Sequence, residues 1–369
     1  MLIALIAATL LAFLAGQTLP RVFAAAPAFW AHVPLALGVM TLITAAMQHF
    51  APVLTRGRSP GPWIARLPGL MFLAGTLAVA VFAGGPGYAW LSVAAGLALA
   101  VGLAMLAWMV NLGRRTLGTP HPGLHWYVAA MGCLALGLFA ALLLPFFPQW
   151  HGPLRAFHLH INLYGFVGLT AVGTLQVLMP TAAGQADPDA ASRLRQDLKW
   201  ALAGSLLLAG GQASGLPLLA WLGALGWGWT LLRLLTAWWR RHRKRILAWH
   251  GAEPLLAVAT LGFAAALTAH LGGWVEGGPL ALFLPGFLMP LVSGAAGQLA
   301  PVWVGTGRPA LRHAQDRARL TRWNGLRALL FLAAILLPLL GYRCAGMPAL
   351  TALAWFGIVF GFWLYRDTD

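Results

Sequence analysis

His158 and His160 stand two positions apart in the stretch RAFHLHINLYGFVGLTAVGTLQVLMPTAAG, at the start of an apolar run that closes at Pro180. An imidazole is costly to carry into a membrane segment, so ionisable residues there mark binding or transfer sites. On an α-helix, positions i and i+2 point about 200° apart. The two rings therefore face separate partners. Neutral imidazole nitrogen is a good ligand for iron and copper, and the planar partner that suits an intramembrane imidazole is a heme.

The elements that must hold these rings are helices in a bilayer. The chain has 369 residues, of which 60% are hydrophobic and 9% charged. Soluble domains carry about 25% charged residues, so an integral membrane protein is expected. Twelve apolar runs reach spanning length, at about 2–19, 30–54, 67–84, 87–111, 124–147, 155–180, 198–214, 216–239, 252–272, 279–303, 323–341 and 346–365. Short connections predict one transmembrane domain over 1–369. The first run lacks a basic start and an A-x-A site, so it is expected to be retained.

A formal charge of +16 would point a soluble protein toward nucleic acid. Here the cations alternate between loops, which is an orientation signal. Loops after even-numbered segments hold eighteen, at Arg56, Arg58, Arg66, Arg114, Arg115, Arg193, Arg195, Lys199, Arg240, Arg241, Arg243, Lys244, Arg245, Arg308, Arg312, Arg317, Arg319 and Arg322. The opposite loops hold three, at Arg21, Arg155 and Arg343. Both termini are then cytoplasmic in a bacterial inner membrane, the run RRHRKR at 240–245 sits near anionic lipid, and no nucleic-acid partner is expected. Cys133 and Cys344 form no disulfide framework, and no C-x-x-C-H is present, so any heme is held noncovalently.

Three segments share a register. Aligning Pro52, Pro180 and Pro301 brings Gln48 onto Gln176, with Gln298 one residue later, and puts His32 and His160 each 20 residues before its proline. Gly165-Phe166 aligns with Gly286-Phe287. The prolines are 128 and 121 residues apart, about four segments each. Three pseudo-symmetric four-helix units are predicted, at about 1–115, 116–240 and 241–369. Under the charge bias, His32, His158 and His160 lie near the outer face, with the prolines about 30 Å away at the inner end.

Three four-helix arcs with both termini inside resemble subunit I of the heme-copper oxidase superfamily. The sixth segment is similar to the H-x-H helix of C-family oxidases and nitric oxide reductases, with His158-Leu159-His160, Gly165-Phe166, Gly173-Thr174-Leu175-Gln176 and Pro180 in that order. The start FWAHVPLALG of the second segment and the single-subunit size also resemble the NnrS family of twelve-helix heme and copper membrane proteins, which is linked with nitric oxide tolerance. The resemblance implies heme b, one or two per chain. His158 becomes the proximal ligand of a high-spin heme, and His160 with His32 the axial pair of a low-spin one.

This chain also departs from that pattern. Its H-x-H falls in the second unit instead of the third, the seventh segment lacks the adjacent His pair, and the tenth has no His. A complete copper site is therefore not expected, although a different rotation of the repeat makes His32 a remnant copper ligand. The fragment HLGGWVEGG is similar to a non-heme iron signature of nitric oxide reductases, with His270 and Glu276 as ligands. Their spacing of six does not stack them on one helix face without a break, and an acid in a surface loop is the plainer reading of Glu276. Arg155, one turn before the H-x-H, could pair with heme propionates. His242 and His313 are read as solvated within basic loops, and Glu253 and Glu276 as the only acids on or beside the bundle.

The expected function is binding or redox processing of nitric oxide or a related diatomic gas at heme, with an electron donor that the sequence leaves unnamed. The alternatives are a noncatalytic heme or copper sensor, scavenger or cofactor-handling protein, and a transporter. Transporters usually show twofold or inverted repeats, against the threefold register here.

Overall fold

The computed structural model describes residues 1–21, 23, 26–85, 87–304, 307, 309–342 and 346–367, and every regular element among them is helical. Arg308, Arg343 and Cys344 lie outside the described residues. The helices are α1 Leu2–Thr18, α2 Pro27–Thr55, α3 Pro62–Phe82, α4 Trp90–Arg114, α5 Gly123–Leu143, α6 Pro148–Ala183, α7 Ala190–Ser214, α8 Pro217–Ile246, α9 Glu253–Gly272, α10 Leu280–Val304, α11 Ala310–Leu320, α12 Asn324–Leu339 and α13 Gly346–Asp367. All twelve predicted segments are helical. The addition is α11, a polar helix where the sequence reads as a loop.

Among the described residues, nine helices are long and apolar enough to cross a membrane, and ten if α11 and α12, bent by 42° at their junction, count as one span. The chain is a multi-pass helical membrane protein. Of the other two predicted spans, α1 has only 17 residues. The α7 helix has 25, but its first half, ASRLRQDLKW, is strongly polar.

Local chemistry explains the elements. Proline opens α2 and α3, where its missing N–H costs nothing. Glycines in the left-handed region close α7 and α9, Gly215 at φ 67° and Gly273 at φ 64°. Within the helices, Thr9, Thr44, Thr170, Thr174 and Thr260 donate their hydroxyls to the carbonyl four residues earlier at 2.7–2.9 Å. A hydroxyl satisfied inside its own helix can face lipid or a neighbouring helix without an open hydrogen bond.

The three helices of the proline register share a backbone feature. Each contains a π-helical segment, Val33–Met40 in α2, Ile161–Gly168 in α6 and Phe283–Leu288 in α10. The segments begin 19, 19 and 18 residues before Pro52, Pro180 and Pro301. Those prolines stand three residues from the ends of their helices, at Thr55, Ala183 and Val304. Gln48, Gln176 and Gln298 are all buried.

The described chain divides into two compact units. One holds Met1–Leu19, Val177–Asp187 and Leu231–Asp369; the other holds Pro20–Gln176 and Pro188–Thr230. In the first, α9 crosses α10 so closely that a β-carbon on Gly262 would run into the Gly286 carbonyl oxygen. In the second, a β-carbon on Gly165 of α6 would lie 2.7 Å from Cys133 Cβ of α5. Small residues let membrane helices approach to backbone contact, and here the two aligned glycines, Gly165 and Gly286, do so within their separate units.

Candidate functional site

His32 and His160 occupy equivalent positions. Each is the last residue before its π segment, and each sends Nδ1 to the carbonyl four residues earlier, at Ala28 and Ala156, both at 2.7 Å. A π turn inserts one extra residue into an α-helix and is frequent at functional sites. His158 reaches across to α5 instead, with Nδ1 2.8 Å from the Gly137 carbonyl. A carbonyl can only accept, so all three rings carry their proton on Nδ1. In His32 and His158 that leaves the lone pair on Nε2. Metal-bound histidines almost always donate their second nitrogen in this way, which fixes tautomer and orientation and raises basicity.

Two of the rings face each other across helices. His32 of α2 and His158 of α6 have ring centres 6.4 Å apart and planes 9° apart. Both are half-buried, and Phe82, the last residue of α3, packs 4.6 Å from His32 at 41°. Asn162, one turn beyond His158, donates to the His158 carbonyl at 2.7 Å and lies 3.3 Å from its Nδ1. That amide fills the space left by the missing side chain of Gly137. His160 is buried, and its ring lies 6.3 Å from Tyr164 at 15°. The proline register matched His32 with His160; the neighbour across from His32 is His158.

The remaining expected ligands are Arg155, His270 and Glu276. Arg155 is exposed on α6, three residues before His158. His270 is in the last turn of α9, and Glu276 is exposed in the turn beyond Gly273. These two belong to the first unit, the three paired or capping histidines to the second. Among the described residues, no three His, Cys, Asp or Glu side chains converge as a metal group. The closest approach of two expected ligands is that of the His32 and His158 rings.

At the other helix ends, the histidines have separate structural partners. His121 donates its backbone N–H to the Leu54 carbonyl and accepts from the Gly123 N–H at Nδ1, at 2.9 and 3.1 Å. His250 Nδ1 accepts from the Trp323 N–H at 3.1 Å. His313 donates to the Pro301 carbonyl at 3.0 Å, and His242 is buried within α8, so neither stands free in solvent as the basic sequence around them implies. The acids differ from expectation as well. Asp197 and Asp316 are buried, as Glu253 is, and Asp187, also enclosed, pairs with Arg241 at 3.5 Å.

Three contributors to the site escape sequence reading: Gly137, Asn162 and Tyr164. Asn162 carries the one legible signal, a polar residue four positions after His158 within an apolar run. No family model, curated protein or solved structure matches this chain.

Proposed function

We propose that this protein binds heme b in the bacterial inner membrane and binds or redox-processes nitric oxide or a related diatomic gas there. In this reading the chain crosses the membrane twelve times as three four-helix units, with both termini in the cytoplasm. The observation that carries the proposal is the His32–His158 pair. His32 and His158 bring two imidazoles, the side chain that most often holds heme iron, to ring centres 6.4 Å apart on neighbouring helices, and either ring would hold the iron if heme is bound here. The carbonyls of Ala28 and Gly137 hold the two rings in the ligating tautomer. His160, with the same internal bond as His32, is the candidate ligand for a second heme. The matching π segments and prolines support the threefold repeat, and with it the resemblance to heme-copper oxidase subunit I.

Heme supplies a redox-active iron, closed to gas when two imidazoles hold it and open on one face when a single imidazole does. The protein's share is to bind that iron, fix both rings and limit water through the apolar walls of α2, α5 and α6. A noncatalytic electron-transfer, sensing or scavenging role is the second reading, favoured by the lack of a third converging ligand among the described residues. A reduced-minus-oxidised spectrum of the purified protein, taken with and without nitric oxide or carbon monoxide, separates the two. A gas-sensitive Soret shift supports gas chemistry. A six-coordinate spectrum untouched by either gas supports the second reading.

A further inference from the structure

A pocket of about 400 Å3 lies in the first unit where α11 and the α11–α12 turn meet the end of α13. Its polar side is made by Arg312, Arg319, Arg322 and Arg366, with Asp316 as the single acid. Asp316 is almost fully enclosed and ion-paired with Arg312 at 3.8 Å and Arg319 at 3.5 Å. A buried carboxylate bonded to two guanidinium groups holds them in place while leaving the lining with four positive charges against one. Guanidinium forks match phosphate oxygens in pairs.

The opposite wall is apolar. Val359, Phe362 and Trp363 line it, and they belong to α13, one of the helices able to cross a membrane. Phe362 is 67% exposed, so the apolar wall continues outward onto the face of a membrane helix. A free anion has no use for that surface; a molecule with an anionic head and hydrocarbon tails matches both walls. The α11 helix is itself amphipathic, with Arg312, Arg317 and Arg319 beside exposed Leu311, as expected of a helix lying at a membrane surface.

We propose that this pocket binds an anionic phospholipid, its phosphate among the four arginines and its acyl chains along Val359 and Phe362. The volume lies within the roughly 300–1,000 Å3 usual for small-ligand sites, and basic pockets between membrane helices bind anionic head groups. The site is independent of heme and would couple the arrangement of α11–α13 to lipid composition.

The test is native mass spectrometry of the full-length, delipidated protein titrated with phosphatidylglycerol or phosphatidylcholine. The double variant Arg319→Gln, Arg366→Gln is compared with Arg114→Gln, Arg115→Gln, which removes the same charge from exposed positions at the end of α4. Phosphatidylglycerol affinity should fall roughly thirtyfold in the pocket variant and change less than twofold in the control. If the double variant melts early, Arg366→Gln alone is read, with about a fivefold loss expected. Equal retention of the two lipids by the wild type overturns the proposal, as does an equal loss in pocket variant and control. Arginine-dependent binding of inorganic phosphate without preference between the lipids also overturns it, and assigns the pocket to a soluble anion.

Discussion

A single missing side chain sets up the site at the residue scale. Gly137 lends its carbonyl to His158 and its empty β-position to the Asn162 amide. In Gly137→Ala the new methyl meets that amide and lies 2.9 Å from Ile161 Cγ2, so Asn162 must leave and the imidazole loses its fixed tilt. Overpacking of this kind costs about 1–3 kcal/mol. A melting curve should show the loss, and the low-spin heme band should broaden or shift; a variant identical to wild type in both would contradict the role given to Gly137. A second test lies outside the spans, at His121. Burial, and then the positive charge of Arg195, hold its imidazole below the ordinary value near 6.5, and its Nδ1 must stay unprotonated to accept from Gly123. The unfolded chain therefore binds the proton more readily than the folded one, and stability rises with pH across that window. Melting temperature should drop as pH falls below about 6.5, and His121→Gln should flatten that dependence; parallel pH profiles for variant and wild type would rule it out.

The helices explain which parts of the site could be read in advance. The three ligand candidates were legible because histidine stands out in apolar sequence, and their helices were legible from hydropathy alone. The partner of His32 was not. A repeat register reports equivalence, and His32 and His160 are equivalent down to the same Nδ1 bond at the mouth of the same π segment. Contact is a separate matter, and across from His32 the structure has His158. The π segments themselves leave no trace in hydropathy, since an inserted residue in an apolar helix is as apolar as its neighbours. Buried Asp197 and Asp316 were hidden for the opposite reason: RLRQDLKW and HAQDRAR read as surface, yet they fold as helices that turn the acid inward. The prediction at this scale is a deletion of Val167, which takes one residue out of the π segment Ile161–Gly168 and changes the rotation of the later residues of α6 relative to His158 and His160. Helix content by circular dichroism should hold, while Gln176 leaves Arg193, its partner at 3.0 Å, and the heme spectrum is lost. A one-residue deletion in Phe283–Leu288, on a helix without histidine, should lower stability and leave the spectrum intact. Equal spectral effects of the two deletions would remove the link between the α6 π segment and the histidines.

For the whole molecule, orientation and cofactor stand or fall on separate observations. Eighteen cations in alternate loops against three in the others predict an even number of crossings with the C-terminus in the cytoplasm. A fluorescent protein fused after Asp369 should fold and fluoresce, and alkaline phosphatase at the same place should stay inactive. The reverse pattern contradicts the twelve-span reading without touching the histidine pair. That pair is tested most directly by the reduced-minus-oxidised spectrum of protein made in heme-replete cells, for the wild type beside His32→Ala, His158→Ala and His160→Ala. The account predicts a low-spin heme b spectrum in the wild type that is lost in His32→Ala and His158→Ala alike. In His160→Ala that band persists. A wild type with no Soret band, or a low-spin signal that survives both His32→Ala and His158→Ala, contradicts it.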